Sequence, residues 1–157
     1  MPRKPPEKPD DVKVIARNRR ARFEYTILDT VEAGLVLKGS EVKSIRAGNV
    51  QIQGAFARVE DGEAWLYEME VAEYVYANLQ NHEPKRVRKL LLRKPELRKL
   101  QAQMMEKGLT IVALALLFRR GLVKIELGVG RGKKLFDKRE DLKKREAKRD
   151  IERSGRR

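Results

Sequence analysis

The chain has 157 residues, no cysteine and a single histidine, with 37 Lys/Arg against 23 Asp/Glu for a formal net charge of +14. That length suits one domain plus ends, and the missing thiols exclude disulfides and cysteine metal sites. A lone histidine leaves few sets of catalytic or metal-ligating groups, so the expectation is a cytoplasmic, non-enzymatic protein that needs no metal or cofactor.

Residues 1–16 hold four prolines among dense charge and read as a disordered basic leader, without the unbroken apolar stretch of a signal peptide. No segment approaches the roughly 20 apolar residues of a membrane span, so the chain is expected to be neither exported nor inserted. From Phe23 the pattern changes: Tyr25, Ile27, Val31, Ala33, Leu35 and Leu37 alternate with polar residues, predicting a strand bent near Asp29 or Gly34. "GSEVKSIRAGN" predicts a two-turn helix with Ser40 as N-cap, Val42 and Ile45 on one face and Gly48 as C-cap.

Strand pattern returns in "GAFARVEDGEAWLYEMEV", where Asp61 and Gly62 mark a hairpin turn and Trp65, Tyr67, Met69 and Val71 alternate toward one face. Pro95 suits the first turn of a helix that presents Leu97, Leu100 and Met104 and ends at Gly108. "LTIVALALLF" (109–118) is either a fully buried strand, hairpinned through "RRG" to "LVKIELGV", or a buried helix; the bounding turns favour the strand. The sum is a mainly β fold. We expect an OB-like closed antiparallel barrel over residues 17–134, with short flanking helices and a basic tail over 135–157.

A search for chemistry finds little. His82, in "QNHEP", reads as a loop residue, and "GVGRGKK" fails the phosphate-loop spacing, because three residues separate Gly128 from Gly132 and Lys134 stands where a hydroxyl is required. What survives of that idea is a flexible, donor-rich exit from the barrel. Glu32 and Glu41 are either solvent-facing charges or, as carboxylates, acceptors for donors of an RNA.

Charge is gathered into three places. Residues 1–22 carry 8 Lys/Arg against 3 Asp/Glu, residues 131–157 carry 13 against 6, and residues 85–99 carry 8 against 1. Such clustering suits a polyanion, with nucleic acid ahead of an anionic membrane surface. Arg17, Arg19, Arg20 and Arg22 interleave with Phe23 and Tyr25, placing phosphate contacts beside rings that either stack on a base or begin the core face of the strand. In "PKRVRKLLLRK", Lys85, Arg86, Arg88 and Lys89 precede three leucines; if Leu90 and Leu92 face inward, Leu91 faces out among cations. No helix resembles a major-groove reader, so irregular or single-stranded RNA is favoured over duplex DNA.

The tail pairs Glu140 with Lys144, Asp141 with Arg145 and Glu152 with Arg156 at i, i+4 but offers few apolar positions. It is expected to be disordered alone and helical once a polyanion surrounds it.

"NRRARFEY", "EAGLVLKGSEVKSIRAGN", "RKLLL" and "GKKLFDKRE", in this order and at these separations, resemble the SmpB (SsrA-binding) family from about residue 17 to at least residue 146. The resemblance implies a monomeric RNA-binding adaptor of bacterial trans-translation. Its barrel would hold the tRNA-like domain of tmRNA, and the complex would enter a stalled ribosome with elongation factor Tu. Glu32 and Leu91 match the family's tmRNA-binding positions; Arg93 stands where relatives often have Asn, and Phe23 where they commonly have His. Gly132, Lys133, Lys134, Asp137, Lys138 and Arg139 match the tail motif, which the resemblance assigns, with Lys143, Lys144 and Arg145, to the vacant decoding site and mRNA channel. Charge alone would also fit a general RNA chaperone, whereas a membrane tail is disfavoured by having Phe136 as its only aromatic.

Overall fold

The computed structural model describes residues 12–76, 81–133 and 135–154, without the side chains of 135–138 and 152–154. Residues 1–11 of the expected leader, Lys134, and the side chains of Asp137 and Lys138 thus lie outside the described residues. The strands are β1 (Val12–Arg17), β2 (Tyr25–Leu35), β3 (Val50–Gln51), β4 (Phe56–Glu60), β5 (Glu63–Tyr67), β6 (Glu70–Val71), β7 (Arg88–Leu91), β8 (Leu109–Arg119) and β9 (Leu122–Gly132). The helices are α1 (Ala21–Glu24), α2 (Gly39–Arg46), α3 (Lys94–Met104) and α4 (Leu135–Ser154).

Pairing runs β8–β4–β5–β7–β2–β9 and returns to β8, so six antiparallel strands form a ring, while β1 extends the sheet from β8. The mainly β, OB-like architecture expected from the pattern is the one observed. β3 and β6 form a separate two-stranded sheet. The ring encloses Ala33, Leu66, Leu90, Ile111, Leu116, Ile125 and Leu127, with Ile45 of α2 and Leu100 of α3 packed into the same core.

The apolar run 109–118 is a strand, hairpinned to β9 through Arg120 and Gly121, whose φ values of 52° and 78° suit a two-residue turn. It is apolar throughout because both its faces are covered. A register shift between Ala113 and Ala115 leaves Leu114 on the outer side with Val112, where Ala21 of α1 packs over them beside Tyr25 and Ile27. Asp61 and Gly62 likewise form the expected turn, with φ values of 51° and 74°. The bend in β2 appears as a register shift between Ile27 and Asp29 that throws Leu28 outward.

Several local expectations need correction. Residues 12–16 are not part of a disordered leader but a strand paired with β8, because β8 offers a free edge there that main-chain hydrogen bonds can use irrespective of side-chain charge. Phe23 lies in the single turn of α1 and not at the head of a strand. The residue capping α2 is Lys38, whose N–H donates to Glu41 Oε1 (2.9 Å), while Ser40 Oγ lies 2.9 Å from His82 Nδ1. Gly48 does end the helix, at φ +81°. α3 stops at Met104, before Gly108. In β5 the core face belongs to Ala64 and Leu66; Glu68, at φ 64°, then reverses the alternation so that Met69 and Val71 turn inward while Trp65 and Tyr67 stay outside.

The glycines of "GVGRGKK" are not a flexible exit either. A Cβ on Gly128 would lie 2.8 Å from Leu114 Cδ1 and 3.2 Å from Ile27 Cγ2, and one on Gly130 would lie 3.1 Å from the carbonyl oxygen of Thr26. β9 needs glycine there so that the outer cluster can sit against its backbone. Gly128→Ala should therefore overpack this cluster and destabilise the protein by about 1–3 kcal/mol. An unchanged midpoint in thermal unfolding, followed by circular dichroism, would contradict the close packing.

The tail, expected to order only on binding, is a helix here. Polar contacts tie its first half to the body: Lys133 Nζ bonds the Asp141 carboxylate and Arg145 lies over the Phe23 ring at 5.5 Å. Asp141 thus pairs with Lys133 rather than solely along its own helix, and the Lys133 ammonium holds its carboxyl below the ordinary value. Among the described residues no helix is long and apolar enough to cross a membrane.

Candidate nucleic-acid interface

Gly34 is where three strands meet, facing Leu91 of β7 on one side and Lys124 of β9 on the other. With no side chain at Gly34, Leu91 Cβ approaches to 3.2 Å of where a Cβ would stand. Alternation does the rest: Leu90 is buried, Leu92 packs against the core, and Leu91 is left 52% exposed. Glu32, two residues before Gly34, rises on the same face. Its carboxylate is held by Arg119, which donates from Nε to Oε1 (2.8 Å) and from Nη2 to Oε2 (3.0 Å).

These residues line one open depression of about 720 Å³ together with Arg93, Glu96 and Lys124. Arg93 precedes α3, with its N–H 3.4 Å from Glu96 Oε1. The structure therefore brings Glu32, Leu91 and Arg93 together from positions far apart in the chain. Sequence reasoning missed Arg119, Lys124 and Glu96. "RRG" was legible only as a turn, and strand pairing alone shows that it returns Arg119 to Glu32. Chemically, the depression offers an apolar patch for a sugar or base face, a carboxylate fixed by a two-pronged guanidinium as an acceptor, and cations for phosphate.

The basic run 85–89 does not form an open strip. Arg88 is completely buried, donating from Nε to Glu41 Oε2 (2.5 Å) and from Nη1 to the carbonyls of Met69 (2.7 Å) and Arg86 (2.9 Å). Its assignment as an RNA contact is corrected accordingly, because a guanidinium with no exposed surface reaches no phosphate. Arg86 also turns inward, donating to Glu41 Oε1 (2.5 Å) and the Val36 carbonyl (3.2 Å). Glu41, read as a possible solvent-facing charge, is fully buried between them. Burial alone would raise its carboxyl, but Arg86, the Lys38 N–H and Arg88 together hold it below the ordinary value. Lys85 and Lys89 remain at the surface, 3.7 Å from Glu68 and 3.1 Å from Glu63. His82 is a buried loop residue, with Nε2 2.9 Å from the Val71 carbonyl.

A second group lies around α1 and the root of the tail. Arg19, Arg22 and Arg145 line a depression with Arg17, and Arg22, Lys133 and Lys144 line its neighbour. Arg20 turns toward Glu24 (4.0 Å). Arg139 and Lys143 lie on the exposed surface of α4, and Gly132 has open space around it. Phe23 and the tail thus meet directly, which neither composition nor spacing disclosed.

The chain matches the family model described as SmpB protein over residues 15–157. It is 52% identical to the SsrA-binding protein of Pelotomaculum thermopropionicum, over 91% of this chain and 94% of that one. It is 53% identical to the SsrA-binding protein of Thermosynechococcus vestitus, over 92% and 96%. A solved structure described as "tmRNA-SmpB: a journey to the center of the bacterial ribosome" contains a chain 52% identical to this one, covering 76% of it and 85% of its own length at a TM-score of 0.65. The depression that gathers Glu32, Leu91 and Arg93 therefore comes with a family match across almost all of the sequence, and this chain belongs to the SmpB family.

Proposed function

We propose that this chain is an RNA-binding adaptor of trans-translation, acting in the cytoplasm and not as an enzyme. Its ring of strands binds the tRNA-like domain of tmRNA through the Glu32–Leu91–Arg93 depression. The complex reaches stalled ribosomes with elongation factor Tu, and the tail, with Lys133, Lys134, Asp137, Lys138 and Arg139 at its root, lies in the vacant decoding site and mRNA channel. The observation that carries this reading is the convergence of those three residues at one exposed leucine, in a chain whose relatives are SsrA-binding proteins. The four-residue charge run at 85–89 supports it less, since half of that run is used internally.

A gel shift with tmRNA in the presence of excess tRNA tests it. Leu91→Asp removes the apolar contact and sets a carboxylate against the RNA, so affinity should fall at least about tenfold, or 1.4 kcal/mol. A general RNA chaperone would lose every RNA alike along a steep salt slope, whereas the adaptor keeps its preference as salt rises.

A further inference from the structure

The hairpin of β4 and β5 buries Ala57, Ala64 and Leu66 and turns Phe56, Arg58, Trp65 and Tyr67 outward. Aliphatic side chains fill its inside and all three of its rings stand outside, although burying a ring would take about 150–250 Å² out of water. The buried core among the described residues consists of Ala, Val, Ile, Leu and Met, with no aromatic residue.

Two of the three rings have a reason within the hairpin. Phe56 and Tyr67 face each other across the strands and stack at 5.3 Å, 8° apart, with the Arg58 guanidinium over both at 5.2 and 5.7 Å. Such cross-strand contacts stabilise a hairpin by themselves. Trp65 has no such reason. It is partly exposed, and among the described residues its indole makes no ring stack, no cation–π contact and no hydrogen bond.

Strand pairing sets Trp65 directly between Arg58 of β4 and Lys89 of β7. Cation, indole and cation thus form one row across three strands, each roughly 5 Å from the next. The two nearby carboxylates are already engaged, Glu60 by the Tyr67 hydroxyl (3.1 Å) and Glu63 by Lys89 (3.1 Å), while Arg58 has no ion pair among the described residues. Leu91 lies two residues beyond Lys89 on the same face of β7, so the row adjoins the depression that Leu91 lines. An unpartnered indole flanked by cations suits a flat ring linked to phosphates, which is the unpaired base of a single strand. A protein partner fits less well, because none of the hairpin's outward side chains is aliphatic.

We infer that Trp65 is a stacking platform for one unpaired base of the bound RNA, with Arg58 and Lys89 holding the phosphates on either side of that base. The contact is indifferent to sequence, since every base has a face to stack. The inference rests on the chain's being an RNA binder, and it extends the RNA surface one strand beyond the Leu91 depression.

Trp65 is the only tryptophan in the chain, so its fluorescence reports on this face alone. The full chain is titrated with hexaadenylate and, separately, with tmRNA, and each tmRNA sample is also run as a gel shift. Trp65 should lose emission saturably with both RNAs, with the midpoint of the gel shift for tmRNA, and should become less accessible to acrylamide. Trp65→Leu should weaken tmRNA binding at least about fivefold and Trp65→Phe less than about twofold, because a phenyl ring still stacks. Arg58→Gln should reduce the salt slope by about one. Unchanged emission in samples that shift tmRNA overturns the platform and leaves the adaptor function intact; so does quenching without acrylamide protection, or wild-type affinity in Trp65→Leu. If Trp65→Leu does not fold, the wild-type titration decides. Should tmRNA not shift at all, the adaptor reading fails, and quenching by hexaadenylate or its absence settles the platform by itself.

Discussion

Replacing Arg88 by Ala should destabilise the protein by about 3–5 kcal/mol, the cost of leaving a buried charge without its partner. For a chain of this size, that is a fall of roughly 10 °C in the unfolding midpoint. Glu41 and Arg88 both have fully buried side chains, so no solvent is at hand to replace the lost guanidinium. Removing both charges together, as in Glu41→Met with Arg88→Met, should cost much less than Arg88→Ala alone. Equal losses for the single and the double variant would sink the buried-pair account. The pair also sets an acid limit. The carboxyl of Glu41 is lowered from 4.5 in the folded state, so its contribution is fully present above that value and disappears as the pH falls through the lower, folded one. In Glu41→Gln that part of the acid sensitivity should vanish, as measured by thermal unfolding between neutral and strongly acidic pH.

Ending the chain after Leu135 should leave tmRNA binding within about a factor of two at moderate salt and abolish peptide tagging on stalled ribosomes. The depression at Leu91 is built from residues between Glu32 and Lys124, and none of it comes from α4. The deletion removes ten Lys/Arg and six Asp/Glu, so the loss expected at low salt is a modest, non-specific electrostatic one. A parallel loss of both activities would refute this division between body and tail. Gel shift and an in vitro tagging reaction, run on the same preparation, separate the outcomes.

Where local chemistry decides structure, the sequence was readable. Asp61-Gly62 can hardly be anything but a hairpin turn, Pro95 begins a helix, and the alternation around Leu91 placed one leucine outside between two inside. Reading failed where a partner distant in sequence decides. Nothing in "KRVRK" distinguishes Arg88, which is sealed against Glu41, from Lys89, which is not, because burial of a charge depends on a carboxylate 47 residues earlier. Val12–Arg17 looks like a charged leader because the edge that makes it a strand belongs to β8. Asn18 looks like one more polar residue in a basic run until its amide nitrogen is seen bonded to Ala113. The turn at Glu68 defeats alternation in another way: a single residue with positive φ shifts parity, and every inference beyond it changes face.

β9 ends at Gly132 and α4 begins at Leu135, so the joint between body and tail spans only two residues. A joint this short makes the tail a ruler with its zero mark fixed on the barrel. At about 1.5 Å per residue, its 20 helical residues measure off roughly 30 Å from that origin. Whatever surface grips the body thereby sets where the far end of the helix arrives.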